Sequence, residues 1–416
     1  MTDQPPADRD PGATWPRPLD PDWRLDTLVV HAGMEPDLTT GAVAPPIYQT
    51  STFAQEAVGR PRGGWEYART GNPTRERLER SIAALEGVAH GLAFASGSAT
   101  THVIASLMRP GEEAILSDDL YGGTFRLFER VLRDTGVGAR YVDLAGDAAT
   151  LREALTERTR IVWLETPSNP HLKVIDIPAV RALLQGHRGS RGERPLLVVD
   201  NTFASPIGQR PLSLGADISY HSATKYLAGH SDTINGVLAT SRDEIAERLR
   251  FLQNAIGAVP GPFDCYLVLR GIRTLGLRME RHSSNAMRVA EVLATRDDVA
   301  CVRYPGLRDG RHGHRQADLA ARQMRFSGGM LSFDPAPRDG RSADERACRF
   351  CERTRIFSLA ESLGGVESLV EVPASMTHGS VAGSKLEVSP ALVRVSVGIE
   401  DPDDLVADVM QALDLA

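Results

Sequence analysis

The sequence predicts an α/β fold: a large domain with a mostly parallel sheet covered by helices, then a smaller α+β C-terminal domain. Two patterns carry that prediction. From about residue 75 to 240, short apolar runs alternate with amphipathic stretches, as repeated strand–helix units around a buried parallel sheet require. Beyond Leu267 the alternation gives way to a long helical stretch and a mixed tail. The expected divisions are residues 1–72 (tail and N-terminal arm), 73–270 (large domain) and 271–416 (C-terminal domain).

Thr74 to Leu85 has helical periodicity (Leu78, Ile82, Leu85), and Asn72-Pro73-Thr74 supplies its start. His90 to Ala95 is a short apolar run ending in Ser96-Gly97-Ser98, and Ala99 to Met108 reads as a helix. Strands follow at 114–116, 141–142 and 160–164, with helices at 125–132, 148–155 and 177–184 between and after them. Leu196 to Val199 is a buried strand running into Asp200, and the apolar run 216–220 leads to Ser222-Ala223-Thr224-Lys225-Tyr226. Leu267 to Thr295 reads as helical, with later strands at 330–333 and 392–397.

At 416 residues, 42% hydrophobic and 24% charged, the composition is that of an ordinary globular protein. A net charge of −7 leaves no basic excess for neutralising nucleic-acid phosphates. No apolar run reaches the roughly 18 residues a membrane helix needs. The N-terminus lacks a basic-then-apolar signal pattern; residues 1–23, rich in Pro and Asp, are expected to be disordered. Four cysteines in a chain of this length make no disulfide framework, so a cytoplasmic location is expected. Cys348-Arg349-Phe350-Cys351 has redox or zinc spacing but no second pair, and it falls on an amphipathic helical pattern at 343–356. His312-Gly313-His314 likewise has no partner of ligand type, and no metal is expected.

The chemistry gathers where strands end. Lys225 follows an apolar run, a setting that can hold its amine unprotonated and nucleophilic toward an aldehyde. Ser222 and Thr224 beside it suit phosphate oxygens, as do Gly97 and Ser98 at a strand-to-helix junction. Asp200 ends its strand as an acid able to pair with a pyridinium nitrogen. These groups together describe a site for pyridoxal 5'-phosphate. Tyr121, in Asp118-Asp119-Leu120-Tyr121-Gly122-Gly123-Thr124, could stack on a flat ring. Asn169, extended before Pro170, could meet a cofactor hydroxyl or a substrate carboxylate. In open α/β sheets such sites lie at the carboxyl ends of strands.

The segments Glu66-Tyr67-Ala68-Arg69-Thr70-Gly71-Asn72-Pro73, Tyr121-Gly122-Gly123-Thr124, Glu165-Thr166-Pro167-Ser168-Asn169-Pro170, Asp200-Asn201-Thr202-Phe203, Ser222-Ala223-Thr224-Lys225-Tyr226, Ala360-Glu361-Ser362-Leu363-Gly364-Gly365 and Arg394-Val395-Ser396-Val397-Gly398 resemble the transsulfuration enzymes. This is the cystathionine γ-lyase and γ-synthase family, and the resemblance runs from about Leu25 to Leu415. It implies the fold type I architecture of pyridoxal phosphate enzymes, in a homotetramer of two catalytic dimers. It makes Lys225 the covalent anchor and proton carrier, Asp200 the partner of the ring nitrogen, Thr202 a further cofactor-binding residue, and Tyr121 the stacking residue. Gly97, Ser98, Ser222 and Thr224 would take the phosphate, and Tyr67 and Arg69 would reach the phosphate of the neighbouring subunit. Arg394 would clasp the substrate α-carboxylate bidentately, assisted by Asn169 and the backbone near Ser362.

The resemblance also places Glu361 and Glu66 where the distal ammonium of cystathionine would sit. Methionine γ-lyases carry a cysteine at the position of Gly123, and β-lyases typically a tryptophan at that of Leu363. The expected activity is γ-elimination of cystathionine to cysteine, 2-oxobutyrate and ammonia, because Trp65-Glu66-Tyr67 resembles the lyase form. The alternative is γ-replacement on O-succinyl- or O-acetylhomoserine by cysteine. A non-catalytic relative would have no need of Lys225, Tyr121, Asp200 and Arg394 together. Ser98, where the family carries a bulky apolar residue, and Thr233-Ile234-Asn235 depart from its pattern.

Overall fold

The computed structural model describes residues 19, 20 and 22–416. Most of the Pro- and Asp-rich segment expected to be disordered therefore lies outside the described residues. The first long helix, Pro73–Glu86, starts and stops as its sequence requires. The Asn72 side chain accepts from the Thr74 and Arg75 amides, Pro73 needs no partner for a missing N–H, and Gly87 closes the helix at φ +70°. Ahead of it the chain runs as an arm with a small hairpin, β1 (Gln55–Ala57) and β2 (Arg60–Pro61). Arg75, itself buried, fixes the base of that arm by donating to the carbonyls of Ala68 (2.7 Å), Arg69 (3.1 Å) and Thr70 (3.0 Å).

The large sheet has seven strands: β3 (His90–Phe94), β4 (Glu113–Ser117), β5 (Gly138–Val142), β6 (Thr159–Glu165), β7 (Leu196–Asp200), β8 (Ile218–Ser222) and β9 (Gly236–Thr240). Their order is β3-β9-β8-β7-β6-β4-β5. The pairs from β8 through β5 are parallel, whereas β9 runs antiparallel to both β3 and β8. Strand alternation divides the side chains between two cores. Ile161, Trp163 and Val198 pack on one face with Val103 and Phe128, and Val162, Leu164 and Val199 on the other with Ile177, Val180 and Leu184.

The second sheet comprises β10 (Val299–Arg303), β11 (Met330–Pro335), β12 (Ser358–Leu359), β13 (Leu369–Glu371) and β14 (Val393–Ser396), in the order β10-β11-β14-β13-β12. The helix Ala343–Arg353 buries Ala347, Phe350 and Cys351 and leaves Cys348 exposed, which accounts for the Cys-x-x-Cys as one core residue and one surface residue.

Two helical expectations change. The stretch Leu267–Thr295 is two helices, Pro262–Ile272 and Leu275–Thr295. Buried Arg278 spans the break, donating to Gly271 O (2.7 Å) and Thr274 Oγ1 (3.1 Å), and also to Tyr226 O (2.6 Å). One side chain thereby ties the helix end at Gly271 to the loop that follows β8. The helix expected at 125–132 begins earlier, at Gly122, and passes into a wider turn over Phe128–Leu132.

Candidate active site

The carboxyl ends of β4, β6, β7 and β8 converge on a cavity of about 280 Å³, closed from the other side by the loop before β13 and by β14. It is lined by Gly97, Ser98, Tyr121, Asn169, Asp200, Thr202, Ser222, Thr224, Lys225, Glu361, Ser362 and Arg394. Tyr67, Arg69 and Glu66 are not brought there. They are exposed on the arm, where the Arg69 guanidinium lies over the Tyr67 ring at 5.6 Å. Within one chain Glu361 and Glu66 therefore do not share a site.

The floor is built on strand ends. Asp200 Oδ1 accepts from the Thr202 amide (3.0 Å) and hydroxyl (2.5 Å), and Thr202 Oγ1 in turn accepts from the Ser222 amide (2.9 Å). Burial pushes Asp200 up to about 6, opposed by those Thr202 hydrogen bonds. Glu165 is its registered neighbour on β6. Burial and the Asp200 charge push Glu165 well above the usual carboxylate range. Glu165 Oε2 accepts from the Tyr121 amide at 2.8 Å, which fixes the backbone that carries the tyrosine. A side chain at Gly123 would put its Cβ 2.3 Å from Tyr121 Cε1, so glycine there is what gives the ring its place.

At one end of the cavity the helix Gly97–Ala105 begins, capped by Ser96 Oγ, which accepts from the Ala99 amide (3.0 Å). First-turn amides have no intrahelical acceptor, and the helix dipole favours an anion beside them. A Cβ on Gly97 would sit 2.8 Å from the Tyr220 hydroxyl and 3.1 Å from Ser222 Oγ, so only glycine keeps this approach open. The Thr224 hydroxyl is less free than its sequence position suggests. It donates to Asn235 O (3.2 Å) and accepts from the Asn235 amide (3.0 Å). Its single proton is thus used within the protein, while Ser98 and Ser222 also line the cavity.

Lys225 Nζ donates to Ser362 Oγ at 2.8 Å. Burial first, and the Arg394 charge second, bring its amine down to about 8. Ser362 sits at φ +83°, a conformation that non-glycine residues seldom adopt. That backbone turns the Ser362 carbonyl onto Arg394 Nη2 (2.9 Å) while its hydroxyl meets Lys225. Arg394 Nη1 donates to Asn169 Oδ1 (3.1 Å). Asn169 is steadied by its loop: Asp119, buried beneath, accepts from the Ser168 hydroxyl, from the His171 amide (3.0 Å) and from His171 Nδ1 (2.7 Å).

Two residues of this site were given no role by the sequence reading. Glu165 opens a motif but looked like a strand terminus. Glu371 lies on β13 opposite Arg394 in register, 3.0 Å from its Nη2, and both are buried. An acid inside the apolar run Leu369-Val370-Glu371-Val372 is the signal that could have found it.

A flat, anionic, aldehyde-bearing cofactor fits this donor set. A lysine with a depressed amine and a buried aspartate line one cavity, with a helix start whose approach only glycine keeps open. The comparisons agree. A cystathionine gamma-synthase of Mycobacterium tuberculosis (strain ATCC 25618 / H37Rv) is 53% identical over 388 residues, 93% of this chain and 96% of that protein. A cystathionine beta-lyase of Lactococcus lactis subsp. cremoris (strain MG1363) is 49% identical, covering 94% of this chain and 99% of its own length. The solved cystathionine gamma-lyase of Lactobacillus plantarum, complexed with L-serine, superposes with a TM-score of 0.86 at 41% identity, over 94% of this chain and 99% of that one. The family described as "Cys/Met metabolism PLP-dependent enzyme" matches residues 26–414, and the chain belongs to that family.

Proposed function

We propose that this chain works at Cγ of a γ-substituted α-amino acid, joining it to cysteine as cystathionine, with γ-elimination from cystathionine as the second reading. The observation that carries it is the pairing, across one cavity, of Lys225 on Ser362 with Arg394 on Asn169 and the Ser362 carbonyl, and with Glu361 at the rim. The lyase expectation drew on Trp65-Glu66-Tyr67, and Glu66 is exposed on the same arm as Tyr67 and Arg69, so its absence from the chain's own cavity separates neither reading. The relative at 53% identity, named a gamma-synthase, then favours replacement over elimination.

When bound, pyridoxal phosphate supplies an electrophilic carbon for the substrate amine and an electron-withdrawing ring that makes hydrogens at Cα and Cβ acidic. Lys225 would hold it and then move protons at substrate Cα and Cβ, for which an amine near 8 is suited. Asp200, braced by Thr202, would keep the ring nitrogen protonated. Gly97, Ser98 and Ser222 would receive the phosphate, and Tyr121 would cover the ring and exchange a proton with the departing group. Arg394 and Asn169 would orient the α-carboxylate. We further propose that Tyr67 and Arg69 complete the phosphate site of a second copy, since they lie away from their own cavity, and that the assembly is a homotetramer of two such dimers.

The test offers O-acetyl- or O-succinylhomoserine with cysteine, then cystathionine alone. Cystathionine should form in the first assay faster than 2-oxobutyrate appears in the second. The reverse order gives the lyase reading, and no product in either assay would sink both.

A further inference from the structure

A guanidinium can grip a carboxylate with two parallel hydrogen bonds on either of two faces, Nη1/Nη2 or Nε/Nη2, and both faces use a proton of Nη2. In this chain one Nη2 proton of Arg394 is already given to the Ser362 carbonyl at 2.9 Å, and Glu371 Oε1 lies 3.0 Å from the same nitrogen as an ion-pair partner. Glu371 Oε1 is also held by the Thr377 hydroxyl (2.7 Å), whereas its Oε2 is buried with no partner among the described residues. The charge of the guanidinium is therefore already paired with the chain's own acid.

We propose that Glu371 is a specificity-determining positioning residue: it is the buried counter-ion of Arg394 while the site is empty, and an arriving α-carboxylate of an amino acid must compete with it for the guanidinium. This rests on the reading of Arg394 as the carboxylate anchor. Three features suit Glu371 to it. Registered pairing of β13 with β14 keeps it opposite Arg394. Thr377 can retain it after it lets go. Both charges are buried, so water does not screen the pairing and an incoming carboxylate meets it at full strength. The consequence is selectivity. A lone carboxylate must compete with Glu371, whereas a substrate that also engages the cofactor gains enough elsewhere to displace it.

The experiment measures by calorimetry the binding of propionate, which has no amine to react, to the cofactor-loaded enzyme. Glu371→Gln, keeping shape but not charge, should bind propionate about 5- to 10-fold more tightly. Glu371→Asp should return toward the parent value, and the drop in KM for the amino-acid substrate should exceed any change in kcat. Propionate binding that is unchanged or weaker in Glu371→Gln, with the bound-cofactor spectrum intact, overturns the proposal. If that variant does not fold, Thr377→Val decides on the same criterion with a smaller shift. Arg394→Lys separates the two readings. If it binds propionate like the parent, the anchor reading falls; if it loses binding while Glu371→Gln changes nothing, only the role of Glu371 falls.

Discussion

The two walls of the cavity are made differently. The large-sheet wall consists of strand ends and the loops after them, so backbone amides, small residues and short polar side chains do the work: Gly97, Ser98, Asp200, Thr202 and Ser222. The small-sheet wall instead offers Arg394 and Glu371 from within paired strands, where register fixes both charges. Loops allow close approach to a ligand's phosphate, and strands hold a charged pair rigidly in a dry setting. Lys225 and Ser362 join the two walls.

The sharpest test of that junction is Lys225→Ala. It removes the only amine among the described residues that line the cavity, and turnover should fall by about 10³-fold or more. Assay of the variant, with borohydride labelling failing to attach cofactor, would check it; substantial residual turnover would move proton transfer to another group. Next comes the small-sheet wall. Arg394→Lys trades a planar fork for a point charge, and KM should rise about 10- to 100-fold while kcat changes less. An unchanged KM would break the assignment of that wall to the carboxylate.

On the large-sheet side, Gly123→Ala drives a methyl into the Tyr121 ring, and kcat/KM should fall about tenfold while the fold persists. An intact kcat/KM would show the ring free to move. The smallest effect crosses the junction. In cofactor-free protein the rate at which Lys225 captures added pyridoxal phosphate should rise with pH through a midpoint near 8, because only the neutral amine reacts. Arg394→Met should move that midpoint upward, since a neighbouring positive charge that disfavours protonation is gone, with burial still holding it below a free lysine. A midpoint that stays put would mean the two walls are electrostatically independent.

The large-sheet wall was legible because its chemistry sits in contiguous motifs at strand ends, each preceded by an apolar run that marks the strand. The small-sheet wall was less so. Arg394 was reached through resemblance, and Glu371 was missed because pairing between β13 and β14 is a long-range event that no local pattern announces. Similar reasons explain the fold's surprises. Gly236–Thr240 is as apolar as its neighbours, yet its direction in the sheet is decided by the connection from β8, not by its own residues. The break at Arg273-Thr274 carries no proline; it is sustained by Arg278, whose partners lie partly in the distant Tyr226 loop. The arm residues Glu66, Tyr67 and Arg69 were readable as a motif, but no spacing within one chain could say that they point away from its own cavity.

Arg75 has a further bearing on that arm. Its three bonds to the carbonyls of residues 68–70 mean that the backbone beside Tyr67 and Arg69 is set when the single chain folds. Fixing a residue's backbone costs about 1–2 kcal/mol in lost freedom. A second molecule docking on this segment would meet a pre-organised surface, and much of that loss would already lie behind it. Recognition between copies would then be governed by shape and side-chain fit, with association fast and little ordering left to complete in the encounter.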